Sequence, residues 1–159
     1  MAWEIERKYL VDAHRWRPSS TGVAYRQGYV SEENGGCVRV RIAGDRALLT
    51  IKGPTAGIRR LEFEYAIPVA DAAMMLDTLC GTRIVEKTRY REVHDGGAWE
   101  IDIFHGDNAG LIMAEIELPE IGSEFTVPAW ALKEVSDDFR YANSSLATCP
   151  FKLWQLTPA

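Results

Sequence analysis

The sequence predicts a β-dominated α+β fold, an eight-stranded antiparallel β-barrel enclosing a tunnel, with a few helices packed outside. Three observations carry this. Apolar residues recur with period two through the first two-thirds of the chain, the connections between these stretches are short and rich in Gly, Asn and Asp, and the alternate positions are filled mainly by charge. Period two means strands with one face set apart from the other. Connections of two to five residues suit hairpins, whereas parallel crossovers need a dozen or more.

Taken in order, the strand-like segments are 3–11, 24–31, 37–43, 47–52, 58–68, 83–93, 98–104 and 111–118. Hairpin signals lie at 32–36 (Glu-Glu-Asn-Gly-Gly), 44–45 (Gly-Asp), 95–97 (Asp-Gly-Gly) and 106–110 (Gly-Asp-Asn-Ala-Gly). Helical spacing appears at 69–80, where Ala72, Ala73, Met75, Leu76 and Leu79 make an apolar stripe that Gly81 can end. Two weaker helices are expected at 128–135 and, after Ser136 as N-cap, at 137–147. The tail from Phe151 has no assignment. The 159 residues are read as a single domain, 1–159, with no repeat or linker.

Composition narrows the function. A net charge of -5 gives no global reason to bind nucleic acid. No apolar run approaches the ~20 residues of a membrane span, and the chain opens on a charged strand, so a cytoplasmic location without membrane contact is expected. Cys37, Cys80 and Cys149 are odd in number and widely spaced, fitting neither a zinc site nor a disulfide framework, and are read as small buried hydrophobes.

The charged faces are the informative feature. Alternate positions give Glu4, Glu6 and Lys8; Arg39 and Arg41; Lys52; Arg60, Glu62 and Glu64; Lys87, Arg89 and Arg91; Glu100 and Asp102; Glu115 and Glu117, which is eight acids and eight bases. One such strand alone is ordinarily the wet side of a sheet. Across strands, however, like charges sit two residues apart, roughly 6.5 to 7 Å on one face. A solvated face would mix signs, because clustered like charges repel. Segregated blocks make sense if each faces a ligand of opposite sign. Carboxylate pairs suit hard divalent cations such as Mg²⁺ or Mn²⁺, and Arg and Lys pairs suit phosphate oxygens. A site needing both binds a metal-complexed polyphosphate. A closed eight-stranded barrel would concentrate the charges inside, where attraction at ~4 Å reaches about 4 kcal/mol against ~1 in water. The apolar alternates would then point outward and need cover from helices, the tail or a second copy, so a homodimer is expected.

The run Glu4-Ile5-Glu6-Arg7-Lys8 resembles the Glu-x-Glu-x-Lys signature of the CYTH domain, or triphosphate tunnel metalloenzyme, family, which takes in class IV adenylate cyclases and thiamine triphosphatases. The similarity continues in order through Arg39-Val40-Arg41, Thr50-Ile51-Lys52-Gly53, Arg60 to Glu64, Lys87-Thr88-Arg89, Glu100-Ile101-Asp102, Glu115-Ile116-Glu117 and Tyr141-Ala142-Asn143. The resemblance implies a tunnel in which Lys8, Arg39, Arg41, Lys52, Arg60, Lys87 and Arg89 grip a triphosphate while Glu4, Glu6, Asp102, Glu115 and Glu117 hold the divalent metal. Glu62 and Glu64 would serve a second metal and water, or orient neighbouring bases. Tyr29 resembles a tyrosine that small bacterial tripolyphosphatases of the family place beside the signature lysine. Glu100 and Arg91 are expected at the rim, Arg59 outside, and Arg140 at the mouth or on the surface.

The function this implies is metal-dependent hydrolysis of a triphosphate, with inorganic tripolyphosphate as substrate and pyrophosphate and phosphate as products. Lys8 and the arginines would stabilise developing charge, and Glu6, Glu62, Glu64 or Lys8 would take the proton of water. Adenylate cyclase, thiamine triphosphatase and nucleoside triphosphatase share the tunnel, and a non-catalytic polyphosphate-binding module is the reading from another class. Nucleic acid is not an expected partner, since the bases alternate with acids rather than with stacking aromatics.

Overall fold

A computed structural model describes residues 3–156, with side chains through Trp154. The strands are β1 (Trp3–Val11), β2 (Val23–Glu33), β3 (Gly36–Ala43), β4 (Arg46–Lys52), β5 (Arg59–Ile67), β6 (Ile84–His94), β7 (Gly97–Phe104), β8 (Ile112–Glu117) and β9 (Ala131–Glu134). Among the described residues there are two α-helices, α1 (Val69–Thr78) and α2 (Asn143–Thr148).

All pairings are antiparallel, in the order β5-β4-β3-β2-β6-β7-β8-β1-β9, and an additional β5–β1 pairing closes the first eight strands into a ring. Closure is short: Trp3, Glu4 and Ile5 face Leu61, Arg60 and Arg59. The hairpins are tighter than the sequence suggests. Asn34-Gly35 and Asp95-Gly96 have positive φ at both positions, the geometry of a two-residue turn that matches strand twist, so the strands run on to Glu33 and His94.

The main apolar cores lie on the outer face of the ring. Ile5, Tyr9 and Val11 pack with Trp99, Ile101, Ala114 and Ile116 beneath Trp16, Phe125 and Trp130. On the opposite flank α1 lays Ala72 and Leu76 against Val40 and Ala47. Full burial of side chains such as Leu76 and Ile101 contributes roughly 1.5 to 3 kcal/mol each. α1 leaves part of this flank bare: Ile51, Leu61, Phe63 (43 % exposed) and Tyr65 (56 %) remain uncovered. α2 does something different. Its Leu146 and Ala147 pack on Tyr29, Val85, Phe104 and Met113, which lie on the inner face, so α2 plugs one end of the ring rather than lying outside it.

Two expected helices are corrected. Residues 128–135 contain β9, because β5 leaves β1 after Ile5 and exposes an edge that the segment pairs, with Tyr9 opposite Glu134 and Val11 opposite Ala131. Unsatisfied strand edge outweighs weak helical spacing. Residues 137–147 split at Ala142, whose extended backbone (φ -64°, ψ 139°) separates a 3-10 turn, Phe139–Tyr141, from the six-residue α2. Ser136 is no N-cap; its hydroxyl donates to Glu134 at 2.6 Å and accepts the Lys8 N–H at 2.9 Å. The tail forms a 3-10 helix, Phe151–Leu156, and the residues beyond it lie outside those described. Cys37 and Cys80 are buried thiols, as expected, whereas Cys149 is exposed.

β9 is held by a side-chain clamp. Arg7 bonds both oxygens of Glu134, Nε to Oε2 at 2.8 Å, and Tyr9 donates to Oε1. The Arg7 hydrogen bonds, with help from Ser136, pull the Glu134 carboxyl down to about 2 against the effect of burial. A depressed carboxylate adds stability above its unfolded value, near 4.5, and loses it as pH falls through about 2. Glu134→Gln is therefore expected to lower Tm by a few degrees at pH 7, and the gap to the parent should close between pH 4.5 and 2 in thermal melts.

Candidate active site

The ring encloses a cavity of about 270 Å³. Strand register decides what meets what within it. Glu4 faces Arg60, Lys8 faces Glu115, Lys52 faces Glu62, and Arg39 faces Thr50, which in turn faces Glu64. Two pairs break the alternation of sign: Glu6 lies directly opposite Glu117, and Glu115 directly opposite Glu100. Like charges directly across a sheet repel. Arg89 bridges Glu100 at 3.2 Å and Glu115 at 3.6 Å and Lys8 lies 3.5 Å from Glu6, which leaves Glu117 without an ion pair among the described residues.

The basic side shows the reverse imbalance. Arg41 has no carboxylate partner among the described residues; its Nε donates to Gln27 Oε1 at 2.8 Å and its guanidinium lies over the Tyr25 ring. Burial, then Arg39 and Arg89, pull its pKa down to about 10. Arg39 binds Thr50 at 3.1 Å and Glu64 at 3.3 Å through Nη2, while its buried Nε has no partner among the described residues. A buried donor left open beside an uncompensated guanidinium is a receptor for anionic oxygen.

Lys8 is fixed through its backbone by Ser136 Oγ and by the Val135 N–H on its carbonyl, and its ammonium sits 3.5 Å from Glu6. Burial acts to lower its pKa, but Glu6, Glu115, Glu4 and Tyr29 together outweigh it and the pKa is raised. Lys8 therefore keeps its proton. The Tyr29 hydroxyl accepts from Gln27 Nε2 at 3.0 Å, so its hydrogen-bond partner is Gln27 and its influence on Lys8 is electrostatic. Lys52 reaches Glu4 at 2.9 Å and Glu62 at 3.2 Å. Arg60 is anchored to the Gly53 and Gly35 carbonyls.

Every residue expected at the site lines this cavity except Asp102. Asp102 is fully buried behind the wall, where Oδ2 accepts from Lys87 Nζ and Arg89 Nη2, both at 2.8 Å, and Oδ1 accepts from Arg89 Nε at 2.7 Å. Burial favours the neutral acid, but Arg89 and Lys87 hold the carboxyl well below its usual range. Burial, Arg89 and Arg41 bring Lys87 down to about 7 despite Asp102. Arg91 and Glu100 pair at the rim, Arg59 stacks outside on Trp3, and Arg140 is a surface charge bound to Asp138 and lying over Trp154.

Gln27 and Tyr25 are site residues absent from the expected set, and Asn143 is expected only within the Tyr141-Ala142-Asn143 match, with no role. Gln27 ties Arg41 to Tyr29, Tyr25 lies against Arg41 and Arg89, and Asn143, the first residue of α2, accepts from Lys87 Nζ at 2.9 Å. Gln27 and Tyr25 share the parity of Tyr29 and were legible from it.

The acids suit a hard divalent cation. Burial raises Glu4 and Glu117, and repulsion adds to it, Glu62 acting on Glu4, and Glu4, Glu62, Glu6 and Glu100 acting on Glu117. Such mutually strained carboxylates offer the all-oxygen donors that Mg²⁺ and Mn²⁺ prefer. Among the described residues no three of them already converge as a finished metal centre, since Lys52 and Lys8 hold Glu4, Glu62 and Glu6. Asp102→Asn, which strands Lys87 and Arg89 in the interior, is expected to cost about 3 to 5 kcal/mol in denaturant unfolding.

A family model described as the CYTH domain matches residues 2–148. An inorganic triphosphatase of Acetivibrio thermocellus is 45% identical over 152 residues, 96% of this chain and 97% of that protein. An inorganic triphosphatase of Nitrosomonas europaea is 35% identical over 150 residues, covering 91% and 96%. A crystal structure described as an inorganic triphosphatase superposes with a TM-score of 0.66 at 32% identity, covering 91% of this chain and 93% of that one.

Proposed function

The chain belongs to the CYTH domain family, and on that footing we propose that it is a divalent-metal-dependent triphosphatase that hydrolyses inorganic tripolyphosphate to pyrophosphate and phosphate. The single observation that carries this is the segregation of charge inside one closed ring. Carboxylates face carboxylates across β1, β8 and β7, while Arg39 and Arg41 on the far wall keep guanidinium capacity unspent.

In this reading Arg39, Arg41, Lys52, Arg60, Lys87, Arg89 and Lys8 bind the triphosphate. Arg39 lines the cavity with its Nε buried and unpaired among the described residues, and Gln27 and Tyr25 hold Arg41 in place. Glu4, Glu6, Glu115 and Glu117 hold the cation, Mg²⁺ or Mn²⁺. Asp102 takes the role of buried counter-charge that aims Lys87 and Arg89. Bound there, the metal would offset phosphate charge and acidify a water molecule. Lys8, protonated and clamped, stabilises negative charge gathering on the phosphoryl group under attack. Because Lys8 keeps its proton, the water's proton goes to a carboxylate among Glu6, Glu62 and Glu64. Tyr29 accepts from Gln27 and so helps hold the side chain that positions Arg41.

No helix among the described residues is long and apolar enough to cross a membrane. The buried free thiols Cys37 and Cys80 support a reducing, cytoplasmic setting. Self-association to a homodimer would use the uncharged strip of Ile51, Leu61, Phe63 and Tyr65. Phe63→Glu should then shift the sedimentation coefficient from dimer to monomer.

The assignment is tested by incubating the protein with tripolyphosphate, ATP and thiamine triphosphate under Mg²⁺ and under Mn²⁺, with products resolved by chromatography. Tripolyphosphate is expected to be the best substrate. Chelator, Glu4→Gln and Lys8→Ala should each reduce its turnover on the order of 10²-fold or more. Hydrolysis that survives all three overturns the proposal.

A further inference from the structure

The ring has a second opening, in its side. The last link between β5 and β1 is the Glu6 N–H to the Ile58 carbonyl at 3.2 Å; from Lys8 onward the same edge of β1 is taken by Val135 and Ser136. At this handover sits a cavity of about 260 Å³, bounded by Thr55, Gly57 and Ile58 on one side and by residues 135–139 on the other. It shares Glu4, Glu6, Lys8, Arg60 and Ala142 with the central cavity. Because α2 plugs one end of the ring, this opening is a separate approach to the acids of β1.

The two approaches differ in charge. The central cavity is lined by eight lysines and arginines against seven glutamates, a small excess of positive charge. The side opening has the reverse balance: residues 55–58 carry no charge, and Glu4, Glu6, Asp137 and Asp138 stand against Lys8 and Arg60. Asp138 is neutralised by Arg140 at 2.7 Å, which leaves Asp137 exposed and without an ion pair among the described residues. With its acids in excess of its bases, this opening favours an entering cation over a polyanion. Focused fields of this kind change association rates by 10-fold to 10³-fold.

We infer that the side opening is the route by which the divalent cation reaches Glu4 and Glu6, separate from the basic cavity that admits the polyphosphate, with Asp137 as its charged gatepost. This rests on the metal-dependent reading given above. It follows that the cation can still arrive when a triphosphate already fills the central cavity.

The experiment uses the whole chain and Mn²⁺ alone as probe, followed by stopped-flow transfer from a fluorescent chelator, with and without a non-hydrolysable imido analogue of tripolyphosphate. Preloading the analogue is expected to leave Mn²⁺ association within a few-fold of its rate in the free protein. Asp137→Lys should slow association on the order of tenfold at low ionic strength and Asp137→Asn by less, both effects fading at high salt. Analogue affinity measured without metal should stay within about twofold of the parent, because the basic cavity is untouched. Unchanged Mn²⁺ association in both variants, or complete blockage by the analogue, overturns the inference. Should Asp137→Lys fail to give a cooperative thermal melt, the Asp137→Asn rate and its salt dependence decide. If the parent protein takes up no Mn²⁺ at all, it is the metal-dependent reading that falls.

Discussion

Everything in the molecule depends on a three-residue seam. Trp3, Glu4 and Ile5 meet Leu61, Arg60 and Arg59, and that contact turns an eight-strand sheet into a ring. Without it the charged alternates would face water, where an ion pair is worth about 1 kcal/mol or less. With it they face one another across a narrow cavity of low effective dielectric. The seam is also chemically involved, since Glu4 is one of its three residues and Arg60 is the partner opposite.

Closure carries an electrostatic cost that shapes the interior. Arg89 bridges Glu115 and Glu100, but Glu117, facing Glu6 with no ion pair among the described residues, is an arrangement that a protein selected for stability alone would avoid. Lys87 and Arg41 are both held below their ordinary values, first by burial and then by the neighbouring guanidiniums of the crowded basic wall. Asp102 is the single carboxylate fully withdrawn from the cavity, and it anchors the two cations that would otherwise be hardest to bury. The remaining imbalance is available to ligands, because a bound cation and a bound polyanion each relieve a repulsion the empty ring endures. Binding and folding energy are therefore drawn from the same set of contacts.

Much of this was legible in the sequence, for a simple reason. Period two fixes which side chains share a face, and ring closure makes one face the inside, so the charged alternates named the cavity wall almost completely. What the sequence hid was depth and tertiary pairing. Parity puts Asp102 and Glu100 on the same face, but only the register with Arg89 and Lys87 buries one and leaves the other at the rim. β9 looked helical because four residues beside Pro128 and Ser136 hold too little pattern, and its conformation is dictated by the edge of β1 that β5 abandons. Tyr25 and Gln27 lay in plain parity with Tyr29 yet carry no charge, and a search for ionised groups passes over them. Asn143 reaches the cavity through a chain reversal at Ala142 that no local periodicity announces.

The plug formed by α2 has a consequence of its own. Asn143 reaches Lys87 from a helix of six residues that belongs to no strand and leans on Leu146, Ala147, Phe151 and Trp154 for its seat. That stopper is modular: it can be lengthened, re-angled or given different tips while every backbone pairing of the wall stays as it is. Change in what the chamber admits is thereby uncoupled from change in what keeps it standing, and diversification has a place to act where the scaffold is indifferent.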